Sequence, residues 1–335
     1  MALDTAFGRN MLILFLLLIM VVLGFSSLFI GTVSLATADV FSALLGRANE
    51  STEIIVLELR LPRVFLGMMV GASLGLSGAA LQGLFRNPLA DPGVIGVSSS
   101  AGLGAVIAIY FGLGAIFPLS VQFLSMGGAL LATSVLMFVS SRDSSVLTLI
   151  LVGIGISSLA TAAMALAMNF APNPSSLQDM IMWLLGSLEN RTMMDISLSG
   201  PFILAGWLLM WGVHQGLDAC SLGDETAQTL GINLKVLRLR IILGSAISVG
   251  AAVAVCGSIG FVGLVVPHII RGFIGHAPGR LLLPSALLGA IILTVADLFT
   301  RMPFGNEQLQ LGVVTAFVGA PLFLYIIYKT RGAMR

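Results

Sequence analysis

Two cysteines and three histidines are the residues best suited to hold a transition metal or to act as nucleophile and base: Cys220, Cys256, His214, His268 and His276. Thiolates and imidazoles bind zinc only when several converge at close, recurring spacings. Cys256 sits inside an apolar run, and neither cysteine stands at ligand spacing from the histidines, so neither a zinc site nor a disulfide is expected. His268 follows Pro267 without a partner at workable spacing, which points to a structural or helix-end role rather than catalysis. No phosphate-cradling G-x-x-x-x-G-K-[ST] and no H-E-x-x-H is present, and no Ser/His/Asp set is assembled by spacing. Intrinsic ATP hydrolysis and proteolysis are therefore not expected.

The remaining chemistry is ionic. Asp297 and Arg301 stand four apart at the end of an apolar run and can pair on one helix face. Arg60-Leu61-Pro62-Arg63 precedes another run, with proline where a missing N–H costs a helix least. Leu222 to Gly231 reads as a short amphipathic helix, with Asp224 and Glu225 in its first turn and a glycine to close it. As a bare sequence, each of these is also an anchor or a solvated loop.

The elements that must position these residues are dictated by solvent. Of 335 residues, 57% are hydrophobic and 9% charged, whereas soluble domains carry about a quarter charged residues. A lipid solvent leaves backbone N–H and C=O groups to satisfy one another, and no barrel-like alternation is present, so the spans are expected to be helices. A net charge of +1 without a basic run removes the electrostatic basis for nucleic-acid binding.

A span needs about 20 apolar residues. Charge-free stretches at 10–38, 64–85, 92–141 (two spans broken at Phe117-Pro118), 144–178 and 196–213 supply six. A polar segment at 217–240 interrupts them. Beyond it, 241–270 supplies one full and one short helix, and 281–300 and 308–328 the last two. The expectation is an all-α membrane protein, a single transmembrane domain over 1–335 with about ten helices. Ser175 to Glu189 is too short to span and suits a helix lying at the external interface. Gly71, Gly75 and Gly78 have the small-residue spacing that lets helices approach closely.

Short loops on the cytoplasmic side collect Lys and Arg. With the N-terminus inside, Arg9, Arg86, Arg142, Lys235, Arg238, Arg240, Arg271, Arg280, Lys329, Arg331 and Arg335 fall inside, against Arg47, Arg60, Arg63, Arg191 and Arg301 outside. Both termini are expected in the cytoplasm, and the external arginines run against the trend.

From Leu59 to Thr330 the chain resembles the permeases of ABC importers for iron siderophores, haem and vitamin B12. The resemblance rests on Leu59-Arg60-Leu61-Pro62-Arg63, Gly78 to Gly83, Asn87-Pro88-Leu89-Ala90-Asp91-Pro92-Gly93, Gly96-Val97-Ser98 and Trp183-Leu184-Leu185-Gly186-Ser187. Leu222-Gly223-Asp224 with Leu230-Gly231, Gly260 to His268, Gly312-Val313-Val314-Thr315 and Gly319-Ala320-Pro321 complete it. Ser258 and Gln310 depart from it where the family usually has proline.

The resemblance implies a multi-pass permease of the bacterial inner membrane, paired with a second identical or related permease, two cytoplasmic ABC ATPases and a periplasmic or lipid-anchored substrate-binding protein. It implies that Arg60, Arg63 and Arg301 face outward to dock that binding protein. Leu222, Gly223, Asp224, Glu225, Ala227, Leu230 and Gly231 would form the coupling helix seated on the ATPase, and Ser141, Arg142, Asp143 and Ser144 a cytoplasmic gate. No cofactor is expected on this chain, because ATP and magnesium belong to the ATPase. The commonest family cargo is a ferric siderophore, with haem, cobalamin and molybdate left open. An ion-coupled secondary transporter, the rival reading, calls for inward carboxylates at mid-span, and these are nearly absent.

Overall fold

The computed structural model describes residues 6–31, 33–93, 95–142, 146–302 and 309–330, and these residues form helices with no strand among them. α1 (Ala6–Ser27) is followed by α2 (Thr37–Leu44) and by α3 (Glu50–Glu53), which runs through a π-helical segment, Ile54–Arg60, into α4 (Leu61–Phe85). α5 (Val97–Tyr110), α6 (Ser120–Arg142), α7 (Val146–Asn169), α8 (Pro174–Leu185) and α9 (Met193–Met210) come next. Two short helices, α10 (His214–Cys220) and α11 (Asp224–Thr229), lead to α12 (Leu234–Cys256), α13 (Val262–Ile274), α14 (Pro278–Thr300) and α15 (Leu311–Thr330).

Among the described residues, seven helices are long and apolar enough to cross a membrane, and three shorter apolar stretches, α5, α13 and Leu311–Tyr325 of α15, fall in the remaining expected spans. At 1.5 Å per residue, the 23 residues of α12 cover about 35 Å, a full bilayer core. The 13 residues of α13 cover about 20 Å, short of a full bilayer core.

Burial separates centre from rim. Within their apolar windows 72% of α4, 78% of α12 and 67% of α14 is buried, against 17% for α1 and for α7. The central helices meet almost backbone to backbone. A Cβ added at Gly71 would lie 2.3 Å from the Gly289 carbonyl oxygen of α14, and one added at Gly78 would lie 1.9 Å from that of Gly263 on α13. Dispersion and close approach hold helices together where lipid provides no hydrophobic drive, which is why small residues line these seams.

Polar groups inside the bundle are used locally. Pro267 has no N–H, so the Gly263 carbonyl one turn earlier loses its helical donor. Gln82 of α4 supplies one, donating to Gly263 O at 3.3 Å and to Leu264 O at 3.2 Å, and its own Oε1 accepts from Arg271 at 2.6 Å. α4 therefore grips the first turn of α13.

Two element boundaries differ from expectation. The helix ending at Phe85 begins at Glu50 rather than near 64, because the π-helical coil ahead of Pro62 lets a continuous helix pass the proline. Lys235, Arg238 and Arg240 lie in the first turns of α12 rather than in a loop: the Asn233 side chain accepts the Val236 N–H at 3.2 Å and starts the helix there. Arg240 in turn donates to the Leu209 carbonyl at 2.9 Å and to that of Trp211, covering the end of α9.

Candidate functional site

The chemistry is concentrated at the two ends of α4 and on one face beside it. At the N-terminal end, Asp297 of α14 is 2% exposed and is shared by two arginines. Arg301 donates to Asp297 Oδ2 through Nη2 at 2.6 Å and Nε at 3.0 Å, and Arg63 donates to Oδ1 through Nε at 2.9 Å. Arg63 also reaches the Thr300 hydroxyl at 3.0 Å. Arg301 continues to the carbonyls of Ser27 and Ile30 at 2.8 and 2.9 Å, and Arg60 donates to the Leu28 carbonyl at 2.8 Å and to that of Val33. The cluster latches the chain after α1 onto α4 and α14.

Arg60 and Arg301 are 6% and 8% exposed, their guanidinium groups turned onto backbone carbonyls of the chain after α1. A guanidinium carries five N–H donors in a fixed fork, and a bend of free carbonyls after α1 absorbs them. Arg63 shows more surface, with 19% of its side chain accessible. The i, i+4 pairing of Asp297 with Arg301 is present as read; the participation of Arg63, far away in sequence, had no local signal.

At the C-terminal end of α4 the same device recurs. Arg86 stops the helix in the left-handed region (φ 48°) and donates to Asp224 Oδ1 at 2.8 Å, while Arg238 of α12 donates to Asp224 Oδ2 at 2.8 Å. Asp224 opens α11, so this short helix is bolted to α4 and α12 together. Gly223 (φ +110°) makes the turn into it and Gly231 (φ +85°) the turn out, conformations that side chains resist. Ala227 is buried against the protein, while Leu222 and Leu230 are 66% and 62% exposed and Glu225 is exposed as well. Two bare leucines beside an acidic turn form a surface a partner protein can grip. The sequence marked α11 but not Arg86 and Arg238, which meet Asp224 only in space.

Of the expected gate residues, Ser141 and Arg142 close α6, and Asp143 and Ser144 lie outside the described residues.

On the face of α7, α8, α13 and α15 are three cavities, of about 350, 670 and 250 Å3. Asp91, Ser157 and Ser158 line the first; Leu185, Ser258 and Phe317 the second; Val266, Phe299 and Val318 the third. Asp91 is half-buried, its Oδ1 accepting the Gly93 N–H at 2.7 Å, and burial pushes its carboxyl above the usual carboxylate range. No group of three or more His, Cys, Asp or Glu among the described residues could hold a metal ion. The walls are mostly apolar, and the two larger hollows are open to the surface of the chain; they offer little to coordinate a bare ion.

A model of the FecCD transport family matches residues 17–329. The chain is 39% identical over 325 residues to the hemin transport system permease protein HmuU of Yersinia pestis, covering 95% of each. It is 38% identical over 320 residues to the Fe(3+)-citrate import system permease protein YfmE of Bacillus subtilis strain 168, covering 94% of each. Its fold superimposes on a solved structure described as an inward-facing metal-chelate type ABC transporter with a TM-score of 0.85, at 30% identity over 96% of this chain and 99% of that one.

Proposed function

Because the chain belongs to the FecCD transport family, and so is a multi-pass inner-membrane permease subunit of an ABC importer for iron chelates, haem or vitamin B12, we propose that its own cargo is a ferric siderophore. The reading is supported by a relative named for ferric citrate at 38% identity. Walls that are apolar and almost free of charge also suit an organic chelate whose shell masks the metal, where a bare cation would find no ligands.

In this reading the observation that carries the mechanism is α4, a buried rod held at each end by a carboxylate shared between two arginines. α11 is the coupling helix. Leu222, Leu230 and Glu225 meet a partner ATPase that binds ATP and magnesium, and Asp224 passes the resulting push to α4 and α12 as a rigid-body motion. The end bearing Arg60, Arg63 and Arg301 faces outward and receives a periplasmic or lipid-anchored binding protein. There Arg63 offers charge at the surface, and Arg60 and Arg301 hold the loop on which the binding protein sits. Both termini lie in the cytoplasm, Ser141 to Ser144 form the inner gate, and a second permease subunit closes the path. This chain carries no cofactor of its own.

The test is ATP hydrolysis by the complex of this chain with its ATPase in liposomes, with the binding protein loaded in turn with ferric hydroxamate and catecholate chelates, haem and cobalamin. Stimulation by a ferric siderophore alone is the expected result. Stimulation by haem or cobalamin instead refutes the cargo and leaves the permease standing; no association with an ATPase refutes the coupling role of α11.

A further inference from the structure

The three cavities share one wall residue, Phe261. It stands between α12 and α13, at φ 68° and ψ −27°, the left-handed region that an aromatic residue rarely adopts. Glycine fits that conformation without cost, so a phenyl group kept there points to a use for the ring.

Its surroundings leave it little freedom. α15 comes so near that a Cβ added at Gly319 would lie 2.4 Å from the Phe261 Cβ. Two residues on, a Cβ added at Gly263 would lie 2.6 Å from Asp91 Oδ2. The turn that Phe261 opens is the one Gln82 grips from α4, a single turn before Arg86 and its bond to Asp224.

The two larger cavities meet at Phe261 and are otherwise lined by different parts of the chain. Asp91 belongs to the chain leaving the Arg86 end of α4, beside α11. Leu185 and Ser258 belong to the junction of α8 with the end of α12, where the Ser187 N–H donates to the Cys256 carbonyl at 2.8 Å. Phe261 stands between them. Asp91 is the sole ionisable side chain among the described residues lining the three spaces.

We propose that Phe261 is the barrier between an outer and an inner chamber of the cargo path, and that its ring is the surface a bulky, apolar-shelled cargo must displace to pass. The proposal rests on the importer reading above. It also links barrier to motor: a push on α11 reaches α4 through Asp224 and Arg86, and α4 carries the first turn of α13 through Gln82.

The test uses the complex of this chain with its ATPase in liposomes, free of nucleotide, and a membrane-impermeant maleimide applied from either side. Ser258→Cys and Ser157→Cys, made separately, report on the outer and inner chambers. Cys220 and Cys256 are both buried, and the parent chain supplies their background. We expect Ser258→Cys to react from outside and Ser157→Cys only from inside. Adding Phe261→Gly, which suits the left-handed backbone, is expected to raise outside labelling of Ser157→Cys from background to the rate of Ser258→Cys, while Phe261→Leu holds it at background. Outside labelling of Ser157→Cys with Phe261 in place, or no change on Phe261→Gly, overturns the proposal; if the glycine variant does not assemble, Phe261→Ala carries the same expectation. Reversed sidedness at both positions upholds the barrier and refutes only the orientation.

Discussion

Replacing Asp297 by alanine removes the one carboxylate among the described residues that faces both Arg63 and Arg301. Arg301 keeps the Ser27 and Ile30 carbonyls and Arg63 keeps Thr300, but neither then has a counter-charge among the described residues of the cluster. The side chains of Asp297 and Arg301 are each 3% exposed, so water reaches neither. Breaking a buried pair by deleting one partner costs about 3–5 kcal/mol. The 19% exposure of Arg63 tempers its share, so about 4 kcal/mol is expected, close to a thousandfold in the folded-to-unfolded ratio. Asp297→Asn keeps the volume and an acceptor oxygen and should lose about half as much. The assay is denaturant-titrated unfolding in detergent micelles, followed by fluorescence of Trp183, Trp207 and Trp211. A loss below about 1 kcal/mol for Asp297→Ala, the value of an exposed pair, refutes the claim that the cluster is a structural latch.

Other outcomes follow from the same geometry. Asp224→Ala removes a carboxylate that is 34% exposed from Arg86 (41% exposed) and Arg238 (9% exposed), so stability should fall by no more than about 1 kcal/mol. Cargo accumulated per ATP hydrolysed should drop sharply, and exchanging the charges (Asp224→Arg with Arg86→Asp) should restore part of it. Gly78→Ala places a methyl group 1.9 Å from the Gly263 oxygen and should cost about 1–3 kcal/mol in the same unfolding assay. Gly127→Ala on α6, where an added Cβ meets nothing within 4 Å, should be neutral or mildly stabilising. Burial raises the Asp91 carboxyl pKa in the folded chain, so the folded state binds the proton more tightly and ionised Asp91 costs stability at neutral pH. That cost fades as pH falls through the raised value toward the ordinary one. Asp91→Asn keeps an acceptor for the Gly93 N–H, and should be more stable than the parent at pH 7 with the difference closing toward pH 4.

Solvent class, helical architecture and the number of apolar segments were legible in the sequence because they depend on local quantities. Run length sets a span, missing charge marks lipid, and Asn, Gly and Pro mark ends, as at Asn173, whose side chain accepts the Ser176 N–H at 2.7 Å, and at Gly186 (φ +72°). Gly71 and Gly78 announced close packing by spacing alone, though not that Gly289 and Gly263 would be their partners. The family resemblance came from motifs, and the family match over 17–329 bears it out. What the sequence could not show is which way an arginine turns. Arg60 and Arg301 have no partner in their own stretch of sequence that foretells the carbonyls of Ser27, Leu28, Ile30 and Val33 that accept their donors. Arg63 with Asp297, Asp224 with Arg86, and Gln82 with Gly263 join positions remote along the chain. Phe261 lies inside the Gly260 to His268 motif, but nothing in that motif shows that three cavities meet at its ring. Periodicity and composition report a residue's preference for lipid or water, which is local; partners, strain and the meeting of cavities depend on which helices touch, and only the folded bundle decides that.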